Sequence, residues 1–150
     1  MKIAEALQHR RDVQNKIEEL RQRLINNAKY QEGQAPAEDM DELITELNQA
    51  TEELANLIYR INLTNSQTKT EMGTLTELLA KRDALRLKRS VYVSFTDEAS
   101  EIAPRYSQTE IMVRPSIDVR KFKKEIDEIS KTLREYEFVI QEKNWTTNLL

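Results

Sequence analysis

DVRKFKKEIDEISKTLREYEFVIQEKN, residues 118–144, carries apolar side chains at an unbroken alternation of three and four residues. These side chains are Val119, Phe122, Ile126, Ile129, Leu133, Tyr136 and Ile140. The spacing places one apolar stripe on one face of an α-helix, and it is the period of a left-handed helix–helix seam. Asp118 is a suitable N-cap residue. We therefore predict a helix over about 118–145 that packs against another helix.

Glycine and proline divide the rest of the chain into three more segments with helical spacing. The predicted helices span about 3–28, 38–66 and 74–102, and Thr74 and Glu77 have the spacing of a capping box. The predicted seam of the second helix is Met40, Ile44, Leu47, Thr51, Leu54, Ile58 and Ile61. Because short connections favour antiparallel neighbours, we predict a mainly α fold of elongated antiparallel helical hairpins in a coiled-coil bundle.

Two stretches depart from the helical pattern. Residues 90–96, SVYVSFT, alternate as a strand does, although Tyr92, Phe95 and Ala99 could equally extend the third helix. A second stretch, around 105–114, begins RYSQTEIMV and is flanked by prolines. We predict that this second stretch is a short extended segment with strand character. An isolated β-ribbon is only marginally stable in water, so such a strand needs a partner in this chain or in another subunit.

Composition excludes several classes of protein and of site. The chain has 150 residues, enough for one helical domain, 1–150, with a core. It has no cysteine, which excludes disulfides, thiol catalysis and cysteine-ligated metals. The net charge of −3 gives no overall sign of a nucleic-acid or anionic membrane partner. The first residues show no apolar run of the length expected of a signal peptide, and no stretch approaches the roughly 18 apolar residues that span a membrane. We expect a soluble, cytoplasmic protein without cofactor, nucleic-acid partner or stable membrane insertion.

Asparagine ends three of the four apolar seams, at Asn27, Asn65 and Asn144. A buried amide has to find hydrogen-bond partners. These residues therefore either cap helices and fix their register, or they line a polar pocket for a small ligand or partner. In an up-and-down bundle, Asn27 would face Arg105 and Tyr106 at one pole, and the other candidates would share the opposite pole. The candidate binding residues are Asn27, Asn62, Asn65, Arg105, Tyr106, Asn144 and Trp145.

Few other residues suggest chemistry. His9 and Glu5 share a helical face, but one pair falls short of the ligand set of a metal site. Basic residues cluster at about 81–89 and 120–124, where charge pairing between helices is preferred to a patch for nucleic acid or acidic lipid. The sequence has no phosphate loop, nucleophile elbow or base paired with a nucleophile. We expect no catalytic residue, no metal site and no enzymatic activity.

Six stretches spread over the chain carry a resemblance to a known family. They are KIAEAL from Lys2, RLINNAKYQEG from Arg23, INLTN from Ile61, GTLTELLAKRD from Gly73, RYSQTEI from Arg105 and IQEKNW from Ile140. Together they resemble the septicolysin-like family of bacterial proteins. The resemblance implies a mostly helical, coiled-coil-like protein without an assigned reaction, and the family name implies a haemolysin.

The residues favour an interaction or scaffold role for a self-associating protein. The apolar seams are narrow, so they provide too few residues for a wide monomeric core, and a homodimer or higher oligomer is expected. One alternative, implied by the resemblance, is a septicolysin-type pore-forming activity. A second alternative is binding of a small ligand at the asparagine-rich helix ends.

Overall fold

The computed structural model describes residues 1–101 and 112–150 and consists mainly of four helices. These are α1 (Ile3–Asn27), α2 (Met40–Gln67), α3 (Leu75–Ser100) and α4 (Val119–Thr146). Two short strands, β1 (Lys69–Thr70) and β2 (Gly73–Thr74), form an antiparallel two-stranded sheet in the connection between α2 and α3. The helix bounds differ from the predicted ones by at most two residues. The prediction of a mainly α fold with antiparallel hairpins is confirmed.

Backbone contacts group the residues into two compact units. Unit 1 consists of Met1–Lys69 together with Glu142–Leu150, and unit 2 consists of Thr70–Gln141. The expectation that the whole chain forms one domain stays a prediction.

In unit 1, α1 and α2 form an antiparallel hairpin. Arg23 pairs with Glu38 close to the connection, whereas His9 pairs with Glu53 at the far end, with 2.6 Å between Nε2 and Oε1. The buried cluster between the helices consists of Val13, Leu20, Leu43, Ala50 and Leu57. It is flanked by Ile17, Leu24, Met40, Leu47 and Leu54. The apolar period read from the sequence thus becomes a continuous seam between the two helices.

The seam of α2 differs from the predicted one. The prediction that Ile44, Thr51 and Ile58 face the core is wrong, because all three are exposed, the isoleucines to 43% and 38%. The residues buried in their place are Leu43, Ala50 and Leu57. From Met40 to Ile61 the observed stripe is apolar at every step, whereas the predicted stripe would bury the Thr51 hydroxyl. At the surface, the Thr51 hydroxyl donates to the carbonyl oxygen of Asn48 at 2.9 Å.

Unit 1 also holds the last residues of the chain against its first residue and α2. The backbone N–H of Leu149 donates to the carbonyl of Met1 at 2.9 Å. The next N–H, of Leu150, donates to the Thr64 hydroxyl at 3.0 Å, and the Nε of Arg60 donates to the Leu150 carbonyl at 2.6 Å. These hydrogen bonds tie the segment after α4 to the end of α2.

In unit 2, α3 and α4 are antiparallel, since Arg86 lies 3.4 Å from Glu137 and Tyr92 packs on Phe122. The stretch SVYVSFT belongs to α3, so its strand interpretation is wrong. Helix formation places Phe95 against Tyr92 and Phe122, and the centroids of these three rings lie 5.0–5.5 Å apart. Tertiary packing of these rings outweighs the β-propensity of the stretch.

The extended segment predicted around 105–114 lies mostly outside the described residues. Of its members, residues 112–114 are described and have no regular secondary structure.

Two predicted helix starts have the expected capping contacts. Glu77 N–H donates to the Thr74 hydroxyl at 3.2 Å, and Thr74 N–H donates to the Glu77 carboxylate at 2.6 Å. The hydrogen bond from the Thr74 backbone N–H to the carboxylate, followed by that from the Thr74 side chain, lowers the pKa of Glu77. Gly73, with φ +109°, permits the turn that delivers this cap. At the start of α4, Asp118 accepts a hydrogen bond from the N–H of Lys121 at 3.2 Å.

Candidate functional site

Asn27, the last residue of α1, joins the two ends of the α1–α2 connection. Its side-chain oxygen accepts from the N–H of Glu38 at 3.0 Å, and its amide donates to the carbonyl of Arg23 at 2.8 Å. The hydrogen bond from Arg23 lowers the pKa of Glu38, and the same bond raises the pKa of Arg23. The amide is thus satisfied within the hairpin, which favours a capping role. The predicted neighbours of Asn27, Arg105 and Tyr106, lie outside the described residues.

The other described candidates, three asparagines and Trp145, differ in their exposure to solvent. Asn65 and Asn144 are buried in unit 1, at 9% and 8% exposure, whereas Asn62 is exposed and Trp145 is 65% exposed. The Oδ1 of Asn65 is buried and accepts no hydrogen bond from any described residue. The two buried members therefore resemble polar core residues, and the two exposed members lie at the surface. A binding role for this group stays a prediction.

The histidine is engaged by a carboxylate from another helix. His9 pairs with Glu53 of α2, while the neighbour on its own helix, Glu5, accepts from the backbone N–H of Lys2. Residues 1–101 and 112–150 contain no group of three His, Cys, Asp or Glu residues that could hold a metal ion. The His9–Glu53 contact therefore pairs the two helices of the hairpin.

A groove between α3 and α4, within unit 2, collects arginine and serine side chains. Its volume is about 540 Å³. It is lined by Arg86, Arg89, Ser90, Val93, Ser94, Ser130, Leu133 and Arg134. We call it the Arg/Ser groove. No carboxylate is among these lining residues. The groove was not predicted from the sequence, because its two walls come from two helices that are far apart in the chain.

Two arginines lie in the seam of α3 where apolar residues are expected. The seam runs through Leu75, Leu78, Arg82, Leu85, Arg89, Tyr92 and Thr96. Arg82 has carboxylate partners, Asp83 at 2.9 Å and Glu137 at 3.7 Å. Arg89 instead donates from Nε to the hydroxyl of Ser130 at 2.8 Å. The position of both arginines in the three–four seam, seven residues apart, was the sequence signal that could have pointed to the groove.

A second apolar stripe lies on the outer face of α3. It consists of Ala80, Ala84, Leu87 and Val91, spaced by four, three and four residues. All four are exposed, Leu87 to 69% and Val91 to 53%. Because each residue turns a helix by about 100°, this stripe faces away from the seam that packs on α4. This stripe was not predicted, although its four–three–four spacing is visible in the sequence.

The comparisons with known proteins return proteins of unknown function. A family model described as a family of unknown function (DUF6847) matches residues 10–149. A solved structure from Corynebacterium diphtheriae, described as a functionally unknown conserved protein, is 40% identical to this chain with a TM-score of 0.92. The match covers 100% of this chain and 99% of that one. None of the curated proteins matches.

These comparisons correct one expectation. The resemblance to the septicolysin-like family is wrong, because neither the matching family model nor the matching structure indicates septicolysin. The pore-forming alternative thereby loses its basis. Among the residues that the structure describes, no helix is long and apolar enough to cross a membrane. The cytoplasmic location and small-ligand binding by the asparagines stay predictions.

Proposed function

This chain belongs to DUF6847, a family of unknown function, and we propose that it is a non-enzymatic interaction protein that forms a homodimer through the outer face of α3. The observation that carries the proposal is the exposed stripe of Ala80, Ala84, Leu87 and Val91. Its four–three–four spacing is the a/d period of a coiled coil. A helix that carries such a stripe on the side away from its own partner is suited to a second partner helix.

The stripe has the composition of a close helix contact. The two alanines allow the backbones to approach, and Leu87 and Val91 provide the apolar area. Full burial of such a side chain is worth about 1.5–3 kcal/mol relative to exposure. Because these two are 69% and 53% exposed, a symmetric contact of two copies gains about 5 kcal/mol from them before the cost of association. Since association costs at least about 4 kcal/mol, these two side chains alone leave at most a weak, reversible dimer.

Charges beside the stripe favour a parallel arrangement. Asp83 and Lys88 are five residues apart on opposite flanks of the stripe, the g and e positions of a heptad. In a parallel pair, each Asp83 lies beside Lys88 of the second copy, which gives two attractive pairs. In an antiparallel pair, residues of the same flank meet, so Lys81 would approach Lys88 of the second copy. Opposite charges therefore select a second copy of this chain in parallel orientation.

The described side chains contain no serine or threonine hydroxyl that is hydrogen-bonded to the histidine. His9, the only histidine, is engaged by Glu53 rather than by a hydroxyl. The hydroxyls of Ser94 and Ser130 donate to backbone carbonyls within their own helices. Within the described ranges, none of the hydrogen bonds joins a serine or threonine hydroxyl to this histidine. A nucleophile activated by a base needs that contact.

Sedimentation equilibrium tests the dimer. The wild-type chain is expected to approach about 35 kDa, twice its mass of 17.6 kDa, as concentration rises. Leu87→Glu should remain near 17.6 kDa, because it places a charge in the contact. Phe138→Glu is the matched control, since Phe138 is an apolar side chain of α4 that is 82% exposed. A monomeric wild type, or equal loss of mass in both variants, would refute the assignment to this face.

Charge exchange tests the orientation. Asp83→Lys should weaken the dimer by placing lysines on both flanks, and the double variant Asp83→Lys/Lys88→Asp should restore it. If the double variant is as weak as the single one, the parallel pairing is wrong.

A further inference from the structure

Arg89 is a charged residue in a helix seam whose adjacent members, Leu85 and Tyr92, carry no charge. It stands in the α3 seam between Leu85 and Tyr92 and is half-buried. Its described hydrogen bond goes to the neutral hydroxyl of Ser130, and no described ion pair includes it. A guanidinium removed from water without an anion is costly, since charged groups in the interior require compensation. A negatively charged group in the groove would compensate the part of this charge that is withdrawn from water.

The neighbours of Arg89 are arranged to receive such a group. The Ser130 hydroxyl accepts a hydrogen bond from Arg89 Nε and donates one to the Ile126 carbonyl at 2.9 Å. The guanidinium is therefore held by its Nε, and its terminal nitrogens stay available as donors. Arg134 projects from α4 into the same groove, and among the described ion pairs none involves it. Arg86 lines the groove too but is partly neutralised by Glu137 at 3.4 Å.

We infer that the Arg/Ser groove binds the phosphate group of a small organic molecule. Guanidinium forks match phosphate oxygens in two-point hydrogen bonds. Among the lining serines, the Ser90 hydroxyl adds a donor beside them, because the hydroxyls of Ser94 and Ser130 donate to backbone carbonyls. The volume of about 540 Å³ lies within the usual range of ligand pockets. Val93 and Leu133 supply an apolar wall for the organic part of the ligand. The inference uses residues that the proposed dimer contact does not require, and it stands without that contact.

Isothermal titration calorimetry with inorganic phosphate and with phenyl phosphate tests the inference. Both are expected to bind, and phenyl phosphate more tightly, because its ring can cover Val93 and Leu133. Phenol is the uncharged control and should not bind measurably. The variants Arg89→Gln and Arg134→Gln should each weaken binding by about 10–100-fold, the usual worth of a charged hydrogen bond. Arg134 is exposed, so its variant keeps the test informative if the seam variant fails to fold.

Arg120→Gln is the matched control, because it removes the same charge from an exposed position of α4 that does not line the groove. It should change the dissociation constant by less than about twofold. Equal weakening in this variant would mean general attraction by surface charge and would overturn the inference. Absence of binding by both phosphates up to about 10 mM would also overturn it. A single-stranded oligonucleotide that bound with steep salt dependence while both small phosphates failed would point to nucleic acid instead.

Discussion

Replacing two buried asparagines by leucine should change stability in opposite directions. Asn27→Leu removes the acceptor for the N–H of Glu38 and the donor to the carbonyl of Arg23, which lie 3.0 and 2.8 Å away. Each lost bond is worth about 1 kcal/mol, and a buried N–H left without a partner adds about 1–3 kcal/mol. The expected loss is about 2–4 kcal/mol. Asn65→Leu instead removes a buried oxygen that has no described partner. That variant should be unchanged or more stable by about 1 kcal/mol.

Urea unfolding followed by far-UV circular dichroism measures both variants at one protein concentration. With a slope of about 2 kcal/mol per molar urea, the midpoint of Asn27→Leu should fall by about 1–2 M. The midpoint of Asn65→Leu should stay or rise. If Asn65→Leu loses as much stability as Asn27→Leu, the side-chain oxygen of Asn65 is not unpaired in the folded protein. In that case the amide has a partner that gives it a structural or ligand-binding role.

Three further predictions concern the turns, the carboxylates and the seam of α3. Gly73→Ala should lower the melting temperature more than Gly33→Ala, because both residues have positive φ but only at Gly73 would the new Cβ meet the Glu77 carboxylate; equal losses by calorimetry would contradict this. Glu38 and Glu77 have lowered pKa values, so these carboxylates bind protons more readily in the unfolded chain than in the folded one. The free energy of unfolding should therefore fall as the pH drops below the ordinary glutamate pKa of about 4.3. A urea midpoint that stays constant over this pH range would refute the pairing. Arg89→Leu should raise the melting temperature in phosphate-free buffer, because a leucine at this seam position packs without desolvating a charge; a decrease would mean that the guanidinium is already compensated.

The helices were predictable because their signals are local. The three–four spacing after Asp118 and the capping box at Thr74 each lie within one segment, and both reappear in the structure. The seam of α2 was harder to predict, because two apolar stripes, one through Leu43 and one through Ile44, are offset by a single residue. The two stripes share Met40, Leu47 and Leu54. They differ at Thr51, which lies on the Ile44 stripe, and at Ala50, which lies on the Leu43 stripe.

The candidate sites depended on information that one segment cannot hold. Asn27 was singled out correctly as a seam-ending amide, but its partner Glu38 follows a connection whose path the sequence did not define. The Arg/Ser groove needed the register between α3 and α4, which places Ser130 against Arg89. Arg134 had no distinguishing pattern of its own. Side-chain chemistry was therefore readable from the sequence, whereas its assembly across helices was not.

Disulfide trapping tests the homodimer most directly. The chain has no cysteine, so Leu87→Cys introduces a single thiol in the centre of the proposed contact. In a parallel pair this residue meets its own copy at a separation within the range of a disulfide. The account predicts that mild oxidation converts most of the Leu87→Cys protein into a reducible covalent dimer, while Phe138→Cys stays mainly monomeric. Equal and slight dimer formation by the two variants would contradict it.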